Sequence, residues 1–240
     1  MVKLWVYVHL ARTNDQLTMA QHFDKDFVKF MKDLAAHNER EWFHENKKRY
    51  EKSVKDPFVG FVQELIDKVG KLDKNVKIEP KQAIFRIHRD VRFSKDKTPY
   101  KTNASAIISA GGRKDMHSSG MYIQLGPEDV RVYGGLFQLD TKQLYSVRTY
   151  LSKNLKEFNK LLNAKKFKDA FETIRGEQHK KVPKDFAEAI AEQPLLLNKS
   201  FYYFTKLKPA LIAKPELVKT IMDHYKIIQP MNDFLAKAIN

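Results

Sequence analysis

From Ser105 to Tyr133 the chain reads SAIISAGGRKDMHSSGMYIQLGPEDVRVY. Three short runs stand out: Ser105 to Ala110, Met121 to Leu125 and Val130 to Tyr133. Their Ile, Val and Tyr residues suit a pleated, half-buried surface. Gly111-Gly112, Gly120, Gly126-Pro127 and Gly134-Gly135 punctuate them. The connections are short and show no helical pattern, whereas a parallel crossover needs a dozen or more residues, so the pairing is antiparallel. Gly111-Gly112-Arg113-Lys114 reads as a hairpin tip, with a phosphate-cradling turn as the alternative.

Upstream, Val76 to Glu79 and Ala83 to His88 read as two more strands. Helices precede them. Phe23, Phe27, Phe30, Met31 and Leu34 recur at helical spacing over Asp24 to His37, with Asp24 as cap. Glu39 to Ser53 is a second helix carrying Trp42, Phe43 and Tyr50. Asp56-Pro57 opens a third, with a capping carboxylate followed by proline, and Gly70 ends it.

Downstream, helices return from Asp140. One stripe is Leu144, Val147 and Leu151; another is Phe167, Ala170, Phe171 and Ile174, stopped by Gly176. Pro215 opens a last helix that Pro230 kinks or splits. Phe186 to Phe204 has no decisive pattern. Helices, then strands, then helices predict an α+β fold: a central, mainly antiparallel sheet flanked by N- and C-terminal helices.

A chain of 240 residues buries a sizeable core without staples. Residues 19–240 read as a single domain. Residues 1–18 read as a peripheral extension, because capping and helical periodicity begin only after Met19. Leu4 to Ala11 is apolar but far short of the about 20 residues that span a bilayer, so no membrane partner is expected. Cysteine is absent, which excludes disulfides and fits a reducing, cytoplasmic setting. The net charge of +15 favours polyanions, but lysines scattered along the helices support the plainer reading of a solvated surface.

The densest chemistry is Arg86 to Lys101, RIHRDVRFSKDKTPYK. Six of its sixteen residues are Lys or Arg: Arg86, Arg89, Arg92, Lys95, Lys97 and Lys101. As a strand, it places Phe85, Ile87, Arg89, Val91 and Phe93 on one side and Arg86, His88, Asp90 and Arg92 on the other. Arginine forks match phosphate and carboxylate oxygens in bidentate fashion. The pattern predicts one anion pocket of Arg86, Arg89, Arg92, Lys97, Tyr100 and Lys101, with Asp90 orienting two guanidiniums. The competing reading is a structural ion-pair network in which losing Arg92 strands a buried carboxylate.

The stretch R-I-H-R-D-V-R-F from Arg86 to Phe93, followed by D-K-T-P-Y-K from Asp96 to Lys101, resembles the signature of the domain of unknown function numbered 2461, a bacterial and fungal family. The resemblance runs from about Phe23 to near the C-terminus. It takes in Trp42-Phe43, Asn46, Tyr50, Gly120-Met121-Tyr122, Gly134-Gly135 and Pro183 to Phe186. It implies which residues matter and carries no activity with it.

Nucleotide-binding glycine fingerprints, metal-binding histidine spacings and a nucleophile elbow are all missing, so neither a metal nor a cofactor is expected. Tyr122, Tyr133 and Trp42 read as base-stacking candidates or as ordinary packing. Three functional readings follow. The first is binding of a phosphorylated or other anionic ligand, either a small molecule or nucleic acid. The second is a metal-independent enzyme acting on such a ligand, with Asp90 or Tyr100 in proton transfer. The third is an interaction module whose motif only holds the fold.

Overall fold

The computed structural model describes residues 21–114 and 120–239. The expected extension at residues 1–18 lies outside them. A four-stranded antiparallel sheet is their centre: β1 (Ala104–Ile108), β2 (Met121–Leu125), β3 (Val130–Leu136) and β4 (Phe201–Leu207), in the order β1-β2-β3-β4. Ile107 faces Tyr122, Tyr122 faces Tyr133 and Tyr133 faces Phe204 across the strands. The fold is α+β, as the order of patterns predicts.

The N-terminal helices are α1 (Lys25–Ala36), α2 (Arg40–Glu45), α3 (Lys47–Tyr50), α4 (Asp56–Leu72) and the single turn α5 (Pro80–Ala83). Asp24 caps α1, accepting the Asp26 N–H at 2.8 Å. Asp56 is not a cap. A π turn at Glu51–Lys55 carries α3 directly into α4. Pro57 has no N–H to give the Ser53 carbonyl, and the wider turn absorbs that missing bond. Gly70 does not end α4 either. A β-carbon there would lie 3.2 Å from the Val76 carbonyl, so the residue serves close chain approach.

Between β3 and β4 run α6 (Thr141–Lys153), α7 (Leu155–Leu162), α8 (Lys165–Phe171) and α9 (Ala187–Glu192). Asp140 and Gln143 close a capping box on α6: Asp140 accepts the Gln143 N–H at 2.8 Å, and the Gln143 side chain accepts the Asp140 N–H at 3.0 Å. The stripe read through Ile174 stops at Phe171, where Glu172 takes a φ of 64°. Beyond it, Arg175 bridges to Tyr202 of β4 and Gln178 to Asn198 just before that strand, so pairing along this segment claims the backbone. The last helix, α10 (Leu217–Ala236), runs unbroken through Pro230.

Two expected strands do not form. Val76 and Ile78 are buried in extended chain without a ladder. From Ile84 to His88 only single bridges occur, Ile84 to Ala106 and His88 to Tyr100. Arg89 N–H donates to the Pro99 carbonyl at 2.8 Å, but Pro99 has no N–H to return, so the ladder cannot lengthen.

The sheet has two different faces. Met121, Ile123, Leu125, Val130, Val132, Leu136, Phe201 and Tyr203 point inward and are buried. They pack with the apolar stripes of α4, α8 and α10 into one core from Phe23 to Ala238. Each fully buried Phe or Leu there contributes about 1.5–3 kcal/mol of transfer free energy. One buried polar group crosses this core. Asn232 on α10 accepts the Gly135 N–H at 2.8 Å and the Tyr203 hydroxyl at 2.8 Å, and donates to the Gly120 carbonyl at 2.8 Å. Gly135 has a φ of 91°, and a β-carbon on it would sit 2.1 Å from the Phe201 carbonyl oxygen. One on Gly134 would sit 2.7 Å from the Tyr203 ring. The glycine pair is thus a packing requirement.

Asn232→Leu takes the partner from the Gly135 N–H and the Gly120 carbonyl and leaves the Tyr203 hydroxyl with the Ile228 carbonyl alone. It is expected to cost about 3 kcal/mol or more in urea denaturation, against about 1 kcal/mol for Tyr203→Phe, which removes one hydroxyl.

Candidate functional site

The signature segment is an arm of two extended stretches. Ile87 to Arg89 pairs with Pro99 to Lys101, and the Lys101 N–H donates to the Ile87 carbonyl at 2.8 Å. Asn38, between α1 and α2, clamps it. Its side chain donates to the Tyr100 carbonyl and accepts the Tyr100 N–H, both at 3.0 Å. The Tyr100 ring, 6% exposed, stacks on Phe43 with centroids 4.1 Å apart.

The tip of the arm is tied to itself. Arg89 donates to the Asp96 carboxylate and to the Thr98 hydroxyl and carbonyl. The Thr98 N–H and hydroxyl, with help from Arg89, pull the Asp96 carboxyl down to about 2. Arg92 holds Asp90 in bidentate fashion at 2.9 and 2.7 Å and draws its carboxyl down to about 2. Lys97 donates to the Val91 carbonyl at 3.0 Å. Phe93 stands out at 96% exposure, with the Arg92 guanidinium 5.8 Å from its ring centroid.

The six residues expected to share one pocket are therefore divided. Arg89 and Tyr100 line a groove of about 770 Å³ against Arg40, Glu41, Phe43, His44 and Lys47 of the α2–α3 region. Lys101 points to the other side of the arm, into a recess on the outer face of the sheet. Arg86 is exposed, and its charge acts on both Asp90 and Lys101. Arg92 and Lys97 belong to the tip. Strand alternation is the reason, since neighbours on extended chain face opposite ways. Asp90 orients one guanidinium rather than two. Asp90 is also exposed, so the ion pair is a screened surface one and no buried carboxylate depends on it. So low a pKa makes Asp90 a poor base near neutrality. Tyr100 has the surroundings of a packing residue.

The recess encloses about 580 Å³, within the range of small-molecule sites. Tyr122, Gln124, Arg131, Tyr133, Tyr202 and Phe204 form its floor, with Phe85, Phe137 and Lys101 on its walls. The rings run on from one another. Phe85 meets Tyr122 edge-on at 5.8 Å, Tyr122 meets Tyr133 at 5.3 Å, and Tyr133 stacks on Phe204 at 4.9 Å. Burial pushes the Tyr122 hydroxyl up. Arg131 is held by Asp129 at 2.8 and 2.9 Å and reaches the Tyr133 hydroxyl at 3.4 Å. Lys101 has no carboxylate partner among the described residues. Its ammonium lies 5.3 Å from the Phe85 ring centroid. Burial, and then Arg86, lower its pKa.

Sequence reading found Tyr122 and Tyr133 but missed Arg131, Tyr202 and Phe204. Alternation in VRVYGGL was the available signal for Arg131, and FYYFTKL, apolar on both sides, offered none. Trp42 lies elsewhere, stacked with His37. Among the described residues, no three His, Asp or Glu side chains converge as a metal site requires, and no helix is long and apolar enough to cross a membrane.

Lys101→Met keeps the aliphatic stem and removes the disfavoured charge, so it is expected to raise the melting temperature at pH 7. The sign follows from the lowered pKa. The folded protein carries the penalty below that pKa and sheds it as pH rises toward the ordinary 10.5. The gap between variant and parent therefore narrows at alkaline pH in calorimetry. Arg92→Ala is expected to leave the melting temperature unchanged.

No curated protein and no solved structure matches the chain. A family profile matches residues 26–234, covering the arm, the sheet and all but the last two residues of α10. With that span matched, the chain belongs to the family described as conserved hypothetical protein (DUF2461).

Proposed function

We propose that the protein binds a phosphorylated ligand with a flat aromatic body, in the recess on the outer face of the sheet. The observation that carries this reading is Lys101: an ammonium partly withdrawn from water, without a carboxylate partner among the described residues, on the wall of an aromatic cavity. Burying an unpaired cation costs stability. An anionic ligand would supply the missing partner, and strain tolerated in this way is characteristic of binding sites. Arg86 reinforces the positive wall. Tyr122, Tyr133 and Phe204 offer ring faces and edges to a base, and stacking of this kind is worth about 1–3 kcal/mol per base. Of the six residues singled out in the sequence, Arg86 and Lys101 keep a part in this site, which belongs chiefly to the sheet. The absence of cysteine suits a cytoplasmic protein handling such ligands.

Titration calorimetry with adenosine and thymidine monophosphates, against the matching nucleosides, tests the reading. The monophosphates are expected to bind about tenfold more tightly than the nucleosides, and Lys101→Met to erase that difference. Equal binding of both, no binding of either, or an unchanged preference in Lys101→Met would sink it.

A further inference from the structure

The arm is only one strand pair thick, and it separates the aromatic recess from the groove along α2 and α3. Consecutive residues serve the two sides, with Tyr100 lining the groove and Lys101 the recess. The groove is open and basic. Arg40, Lys47 and Arg89 line it with His44 and His88, against the single carboxylate of Glu41. Arg89 is committed to Asp96, but Arg40 and Lys47 have no carboxylate partner among the described residues. Cations without partners along a groove suit a chain of phosphates better than one phosphate. Aromatic faces in a neighbouring cavity suit bases that are already unpaired, because a duplex keeps its bases stacked inside.

We infer that recess and groove are two halves of one site for single-stranded nucleic acid. A base stacks among Tyr122, Tyr133 and Phe204, its phosphate meets Lys101, and the backbone crosses the arm into the groove at Arg40 and Lys47. This rests on the proposed recess and adds that its natural ligand is a strand longer than one nucleotide.

Fluorescence anisotropy on the full chain, with labelled oligothymidylates from about 2 to about 12 nucleotides, tests the inference. Affinity is expected to climb with length and then level off. Arg40→Glu with Lys47→Glu should weaken the longest oligomer by at least about tenfold while leaving thymidine monophosphate affinity unchanged. The remote pair Lys165→Glu with Lys166→Glu makes the same change in net charge and should cost clearly less. Circular dichroism checks that each variant is folded. The inference is overturned if the shortest oligomer binds as well as the longest, if a duplex of equal length binds as tightly, or if the remote pair costs as much as the groove pair. Should thymidine monophosphate bind while length adds nothing, only the extended site is lost. Should the monophosphate fail to bind, and Lys101→Met change nothing, the recess itself has been misread.

Discussion

A sheet of four strands with helices on one face leaves the other face to be dealt with, and this constraint shapes the rest of the molecule. The helical side closes in an ordinary way, with β-branched and aromatic residues from alternate strand positions against α4, α8 and α10. Asn232 joins the two layers by pairing the Gly135 N–H, the Tyr203 hydroxyl and the Gly120 carbonyl, with the Ile228 carbonyl as a second acceptor for the hydroxyl at 3.2 Å. A buried amide with its bonds satisfied allows one relative placement of α10 and the strands, because any slip leaves several groups unpaired.

The opposite face has no such layer among the described residues. Its floor is aromatic yet half-buried, and its nearest cover is the arm. The arm is well held at its base, through Asn38 and the stack of Tyr100 on Phe43, and its tip is held by short-range bonds within the tip itself. Most of the charge in the signature is thus used locally. Asp90 and Asp96 stay ionised because guanidinium and amide donors surround them, and these pairs shape the loop in water without a large share in overall stability. Lys101, with Arg40 and Lys47 across the wall, has no carboxylate partner among the described residues.

Sequence order and residue type made the fold class legible. Glycine and proline punctuation placed β1, β2 and β3, and helical stripes placed α1, α4, α6 and α10. The misses share a cause. Asp56 looked like a cap because a local rule describes isolated helices, whereas here the π turn at Glu51–Lys55 supplies the preceding turn. FYYFTKL gave no clear period because its two sides are both apolar for different reasons, one buried in the core and one lining the recess.

Composition and periodicity by themselves determined that this chain folds as α+β around an antiparallel sheet, and that Arg86 to Lys101 concentrates its charge. Those properties are local, set by side-chain type and by a repeat of two or 3.6 residues. Which charges would face a shared space was decided only by tertiary structure. Hydrogen bonding at the tip took up Arg89, Arg92 and Lys97, and alternation along the arm sent Tyr100 and Lys101 to opposite sides. The aromatic floor lies on strands up to 82 residues apart, from Tyr122 to Phe204. No local pattern joins such residues; the pairing of β3 with β4 does.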